Sequence, residues 1–120
     1  MAKFLDKVNS TQNDWAIKLL EFKPTDRVLE IGFGSGRTIK MISEIVNRGL
    51  VAGVDFSKRM VAVATRRNRK AIKAGLVEIK LGEAKSLTYE DDFFDKVLAV
   101  YVIYFWEEPV KVLREVWRVL

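Results

Sequence analysis

Gly32, Gly34 and Gly36 crowd into five positions directly after a segment that reads as a buried strand, Arg27 to Ile31, and directly before a segment with helical periodicity. Glycine has no Cβ, so the backbone there can turn tightly and approach a ligand, while the start of the helix offers unpaired N–H groups. A turn of this kind between a buried strand and a helix restricts the chain to few architectures, and the rest of the sequence repeats the same unit. The first helix runs from about Thr38 to Arg48 with Met41, Ile42, Ile45 and Val46 on one stripe, and Gly49 reads as its cap. Leu50 to Val54 is a second strand, and Ser57 is the N-cap of a helix that runs to Ala74 and stops at Gly75. In Leu76 to Leu81, Val77, Ile79 and Leu81 alternate with Glu78 and Lys80, as in an edge strand with one wet face.

A polar loop, Gly82 to Asp92, precedes a deeply buried strand, Val97 to Val102. Pro109 then opens a last helix whose predicted inward face is Val110, Leu113, Val116, Trp117 and Leu120. Ahead of the first strand, Trp15, Leu19 and Phe22 recur at helical spacing until Lys23-Pro24-Thr25-Asp26 breaks the helix. Strands separated by helices require crossover connections, so the predicted fold is α/β: a doubly wound, mainly parallel, Rossmann-like sheet of about four strands with flanking helices, one domain over residues 1–120. Ligands of such sheets bind beyond the carboxyl ends of the strands, where strand order reverses. Gly32 to Gly36, Asp55, Gly82 to Ala84 and Tyr101 fall at those ends.

Composition narrows the chemistry. The chain has no Cys and no His, so disulfides and thiolate metal sites are excluded, no metal site is expected, and the commonest general base is missing. Its longest uncharged apolar run, Val97 to Trp106, is about half of the roughly 20 residues that a bilayer span needs, and the N-terminus shows no leader pattern, so a cytoplasmic location is expected. The formal charge of +5 is concentrated in Lys58, Arg59, Arg66, Arg67, Arg69, Lys70 and Lys73. These side chains can attract nucleic acid or an anionic membrane surface; the plainer reading is a solvated helix face.

The glycine turn has two further properties. Its spacing is G-x-G-x-G, with Arg37 where a dinucleotide fingerprint places its third glycine, and Glu30 stands just before it. An acid there disfavours a pyrophosphate and favours a cationic ligand such as an amine or a sulfonium. Asp55 ends the second strand 23 positions after Gly32, close to the separation of about 20 for a ribose-binding carboxylate. A carboxylate can accept hydrogen bonds from both ribose hydroxyls; the alternative is an acid facing the dipole of the following helix.

With these residues in place, Val28 to Gly36 resembles the first motif of class I S-adenosylmethionine-dependent methyltransferases, and V-A-G-V-D-F-S, Val51 to Ser57, resembles the second. Gly82-Glu83-Ala84 is similar to the adenine-contacting loop, Phe94 to Val97 to the start of the fourth strand, and Glu115 to Leu120 to the helix before a glycine-rich turn. The resemblance implies S-adenosylmethionine as cofactor. Gly32, Phe33, Gly34 and Gly36 would wrap its methionine part, Glu30 would orient the amino group, and Asp55 would hold the ribose. Phe56 and Met60 would flank adenine, with Glu83 and Ala84 beside it; many family members have Asp in place of Glu83. Tyr101 would face the transferred methyl, and Tyr104, Phe105 and Trp106 would line an acceptor pocket. Tyr101 and Tyr104 are the catalytic candidates if the acceptor must lose a proton. Methyl transfer from a sulfonium needs chiefly alignment, so the missing His is no obstacle.

The resemblance also implies a Lys-Pro-Gly-Gly type turn and three more strands after Leu120. Without them the strand at Val97 to Val102 is expected to present an open apolar edge through which copies could associate. A small molecule is the first expectation for the acceptor. The competing functions are an NAD-dependent oxidoreductase and a non-enzymatic basic module that docks on RNA through Lys58 to Lys73.

Overall fold

A computed structural model describes residues 3–7, 13–100 and 107–120. Its strands are β1 (Lys3–Lys7), β2 (Arg27–Ile31), β3 (Leu50–Asp55), β4 (Val77–Leu81) and β5 (Lys96–Val100), and its helices are α1 (Asn13–Leu20), α2 (Arg37–Ile45), α3 (Lys58–Arg67), α4 (Arg69–Lys73) and α5 (Pro109–Val119). The strands form one sheet in the order β1-β5-β2-β3-β4, with every pairing parallel. Four of the five are those the sequence pattern predicts, and β4 lies at the margin as its alternation requires.

The addition is β1. It pairs with β5 from Lys3↔Lys96 to Lys7↔Val100, so β5 lies between β1 and β2. The expectation of an uncovered β5 edge is therefore overturned. The pattern concealed β1 because Lys3, Asp6 and Lys7 interrupt Phe4 and Leu5. Charge at these positions suits a strand that ends a sheet, since it discourages further pairing.

Successive residues of a strand point to opposite faces, and each face here has its own core. On one face, Leu29, Ile31, Ala52, Val54, Val97 and Ala99 pack with Leu87, Tyr89, Phe94 and the α5 residues Val112, Val116 and Val119. On the other, Val28, Val51, Val77 and Leu98 pack with Leu20 of α1, Ile39 and Ile42 of α2, Val46 and Ala64 of α3. Helices thus cover both faces, as a doubly wound sheet requires.

Helical spacing gave the period of each apolar stripe more securely than its phase. In α5 the buried residues are Val112, Val116 and Val119, whereas Val110 and Trp117, expected inside, are 61% and 69% exposed. In α2 the buried positions include Ile39 and Ile42, and Ile45 faces outward. In α1, Leu20 rather than Leu19 enters the core; the Trp15 side chain lies outside the described residues. Gly49 does not cap α2, which ends at Val46. A Cβ at Gly49 would stand 2.0 Å from the Asp26 carbonyl oxygen, and this close approach is what excludes a side chain there.

At the amino ends of β2 and β5, opposite the carboxyl-end site, Lys96 Nζ donates to Asp26 Oδ2 with both side chains almost fully buried. The same carboxylate oxygen accepts the Lys23 N–H at 2.8 Å. Removing one member of a buried pair strands the other charge, at a cost of about 3–5 kcal/mol. Asp26→Ala is therefore expected to lower unfolding free energy by about that amount in urea titrations at neutral pH. A loss below about 1 kcal/mol, the range of exposed pairs, would contradict this role.

Candidate functional site

The chain steps outward from β2 to β3 and β4, then returns to the far side of β2 as β5. That reversal opens a cleft of about 280 Å³ at the carboxyl ends of the strands, close to the lower end of the range for small-molecule sites, roughly 300–1,000 Å³. Its walls are Ile31 and Gly32 at the end of β2, Val54, Asp55 and Phe56 at the end of β3, Gly82 to Lys85 after β4, and Glu107, Glu108 and Val112 at the start of α5.

The glycines divide the work of the turn, all three having positive φ. The Gly32 N–H donates to the Val54 carbonyl at 2.8 Å and ties the turn to β3. At Gly34 an added Cβ would meet nothing within 4 Å, so the backbone borders open space that a ligand can enter. Gly36 is the opposite case, since a Cβ there would fall 2.6 Å from the Ala64 Cβ and 2.9 Å from Asn68 Nδ2. Its bareness lets α3 lie directly against the turn.

Asp55, 7% exposed, joins the pieces. Its Oδ2 accepts the Gly34 N–H at 3.1 Å and its Oδ1 accepts the Ser57 N–H at 2.9 Å. Each carboxylate oxygen has two lone pairs, so acceptor capacity remains for a ligand hydroxyl at the cleft wall. Glu30 is 1% exposed and pairs in register with Gly53 and Leu98, below the turn and outside the cleft lining.

Other expected residues divide between cleft and core. Phe56 lines the cleft and is 73% exposed; packing does not account for it. Glu83 and Ala84 also line the cleft. Phe33 is buried in the α2 face and contributes only backbone to the turn. Met60 packs on that same core, its N–H donating to Ser57 Oγ at 3.2 Å, and does not line the cleft. Tyr101, Tyr104, Phe105 and Trp106 lie outside the described residues.

Four contributors escaped sequence reading. Asn68, 2% exposed, separates α3 from α4 where one unbroken helix was expected. Its Nδ2 donates to the carbonyls of Gly36 at 3.1 Å and Ala64 at 3.0 Å. An Asn in a helix among Arg and Lys was the available signal, since its amide competes for backbone groups. Lys85, Glu107 and Glu108 form the outer cleft wall. Lys85 Nζ reaches Glu108 Oε2 at 3.2 Å and Glu83 Oε2 at 3.7 Å. The Glu108 hydrogen bond, then the Glu83 charge, holds the ammonium above its ordinary pKa. Hydrogen bonds from Lys111 and Lys85 hold Glu108 below the usual carboxylate range. Four carboxylates, Asp55, Glu83, Glu107 and Glu108, thus line the cleft with one ammonium, a balance suited to a cationic ligand.

The loop carrying Glu83 to Lys85 is fastened from α5. Glu115 Oε1 accepts the Leu87 N–H at 2.9 Å. Arg118 donates to the carbonyls of Tyr89 at 2.7 Å and Leu87 at 3.0 Å, and through Nε to Glu115 Oε2 at 2.6 Å. The Arg118 hydrogen bond, aided by the Leu87 N–H, lowers the Glu115 pKa.

A model of the methyltransferase domain family matches residues 29–120, and the chain belongs to that family, in its class I S-adenosylmethionine-dependent form. It is 32% identical over 114 residues to YrhH of Bacillus subtilis (strain 168), named as a methyltransferase, covering 95% of this chain and 62% of the relative. It is 34% identical over 106 residues to 2-phytyl-1,4-naphtoquinone methyltransferase of Synechococcus elongatus, covering 88% and 46%. The crystal structure of the Bacillus subtilis YcgJ protein superposes with a TM-score of 0.79 at 34% identity, covering 93% of this chain and 47% of that one. The chain thus spans about half the length of several relatives. The family implies S-adenosylmethionine, and the residues present fit it: open backbone at Gly34, a carboxylate at Asp55, an exposed ring at Phe56 and an acidic wall.

Two outcomes follow from this geometry. Asn68→Ala is expected to weaken S-adenosylhomocysteine binding several-fold in calorimetry and to speed amide exchange at Gly34 and Gly36; unchanged affinity and exchange, with only a lower Tm, would confine Asn68 to helix packing. The stabilisation from Glu115 is complete above the ordinary glutamate pKa of about 4.3 and is lost as pH falls through its lowered value. Glu115→Gln should therefore lower Tm at neutral pH and flatten the acid limb of a Tm-against-pH curve, whereas a limb as steep as wild type would place the acid sensitivity elsewhere.

Proposed function

We propose that this chain binds S-adenosylmethionine in the cleft and holds it for methyl transfer to a small lipophilic acceptor. The observation that carries the reading is the Asp55 carboxylate, held by the Gly34 and Ser57 amides at the cleft wall with acceptor capacity left over. Asp55 takes the ribose hydroxyls, and the open backbone at Gly34 lies along the methionine part. Phe56 offers its exposed ring to adenine, and Glu83 and Ala84 close the other side. Glu30, beneath the turn, orients the amino end of the ligand.

The cofactor supplies an already activated methyl group, which leaves alignment and exclusion of water to the protein. The acidic wall favours the sulfonium over a neutral ligand and opposes the pyrophosphate of a dinucleotide. The acceptor class draws support from the relative whose name gives a phytyl-bearing naphthoquinone as substrate. Tyr101 and Tyr104 are the candidates for an acceptor proton.

Calorimetry with S-adenosylhomocysteine tests the reading on wild type, Asp55→Asn and Asp55→Ala. Hydrogen bonds to a charged group contribute about 1.5–3 kcal/mol each, so Asp55→Ala should bind roughly ten- to a hundredfold more weakly, with Asp55→Asn between. Equal affinity in all three, or saturable NAD binding without S-adenosylhomocysteine binding, would overturn it.

A further inference from the structure

Between Lys58 and Lys73 the chain carries seven Lys or Arg and no Asp or Glu. With those seven set apart from the total of 21, the other 14 stand against all 16 Asp and Glu, so away from this segment the chain is acidic. The whole positive excess resides on α3 and α4. Backbone bonds from Asn68 N–H to the Ala64 carbonyl and from Ile72 N–H to the Asn68 carbonyl carry the helical path across the break, giving a rod of about 24 Å.

Lys58, Arg59, Arg66, Arg69, Lys70 and Lys73 are all exposed. Their spacings of three and four residues gather them on one side of the rod, with exposed Ala62 and Thr65 between them. None of the seven cations makes an ion pair with a described residue. Arg67, on a different side, donates to Ser35 Oγ at 2.9 Å. Like charges at these spacings destabilise a helix, and the fold has placed no acid to relieve them. The opposite side of the rod, through Met60, Val61, Ala64, Ala71 and Ile72, is committed to the core.

We propose that this face docks on an anionic lipid bilayer and brings the cleft to the interface in which a lipophilic acceptor is dissolved; the second clause rests on the acceptor class proposed above. Charge complementarity selects a polyanion. The composition of the face selects lipid over RNA, because small residues and no aromatic ring lie between the cations, leaving no stacking platform for bases. One exposed apolar side chain stands beside the rod: Leu81, 49% exposed, pairs in register with Asp55 near the start of α3, where a bilayer can accept it. Phe56, the cleft wall, directly precedes the cationic segment, so the mouth opens at its end. Contact is by surface attraction, since no described helix is long and apolar enough to cross a membrane.

The test is co-sedimentation of the 120-residue chain with vesicles of phosphatidylcholine, with and without phosphatidylglycerol. Wild type is expected to sediment only with the anionic vesicles and to be released by salt except for a minor fraction held by Leu81. Replacing Arg66, Arg69, Lys70 and Lys73 together with Gln should lower the vesicle partition coefficient at least tenfold and leave S-adenosylhomocysteine affinity within twofold. Leu81→Ser should remove the fraction that resists salt. If the fourfold variant does not fold, the salt titration and Leu81→Ser on their own decide. Equal binding to neutral vesicles, no binding to anionic ones, or capture of a short RNA through these residues without vesicle binding overturns the proposal. In each of those cases retained S-adenosylhomocysteine binding leaves the cofactor reading standing.

Discussion

The close contact between α3 and the glycine turn is the constraint on which the site depends. Only a residue without a Cβ can occupy position 36 while Ala64 presses against it, and the buried Asn68 amide then fastens the Gly36 carbonyl to the same helix. Asp55 performs the matching task from the other end of the turn, linking Gly34 to the start of α3. The turn is thus held at both ends by the second strand-helix unit, and its middle, at Gly34, is the part left bare. A loop with open backbone would ordinarily collapse or wander; these contacts hold it in one shape before any ligand arrives, which reduces the ordering cost of binding.

Charge differs between the cleft and the segment that follows it. Four acids and one lysine line the cleft, with Lys85 held by Glu108 and Glu83, whereas α3 and α4 carry seven cations and no acid. The separation has a physical consequence at the cofactor end: the acids lining the cleft favour a sulfonium, while the rod carries most of its cations, Arg66 to Lys73, beyond the screening length of about 10 Å at ordinary salt. One chain can therefore hold a cationic small molecule and face an anionic surface without the two fields cancelling.

The architecture was legible because its signals are local. Alternation of strands and helices, the G-x-G-x-G turn and an acid ending the second strand each occupy a few neighbouring residues, and the structure places Gly32, Asp55, Phe56, Glu83 and Ala84 around one cleft. What escaped depends on residues distant in sequence. Asn68 meets Gly36 across 32 positions, and Lys85 meets Glu108 across 23; nothing in either neighbourhood announces the partner. Helix phase failed for a related reason. Val110 and Trp117 fit an apolar stripe on α5 as well as Val112, Val116 and Val119 do, and only the position of the sheet decides which stripe is buried.

The first strand shows how an open edge alters such reasoning. Val97 to Ala99 are fully buried, and an apolar strand of that kind cannot be left without a neighbour on either side, because its free N–H and C=O groups would need partners that water alone would have to supply. Sequence established that demand and did not single out Lys3–Lys7 as a segment that meets it. The segment that does, Lys3–Lys7, reads as unpromising when taken alone, with three charges in five residues. Charge is compatible with the position because, among the described residues, β1 pairs only with β5, and an end strand tolerates charge that a central strand would not. A weak strand by propensity is thus selected by the edge it completes, and its place in the sheet follows from β5 rather than from its own pattern.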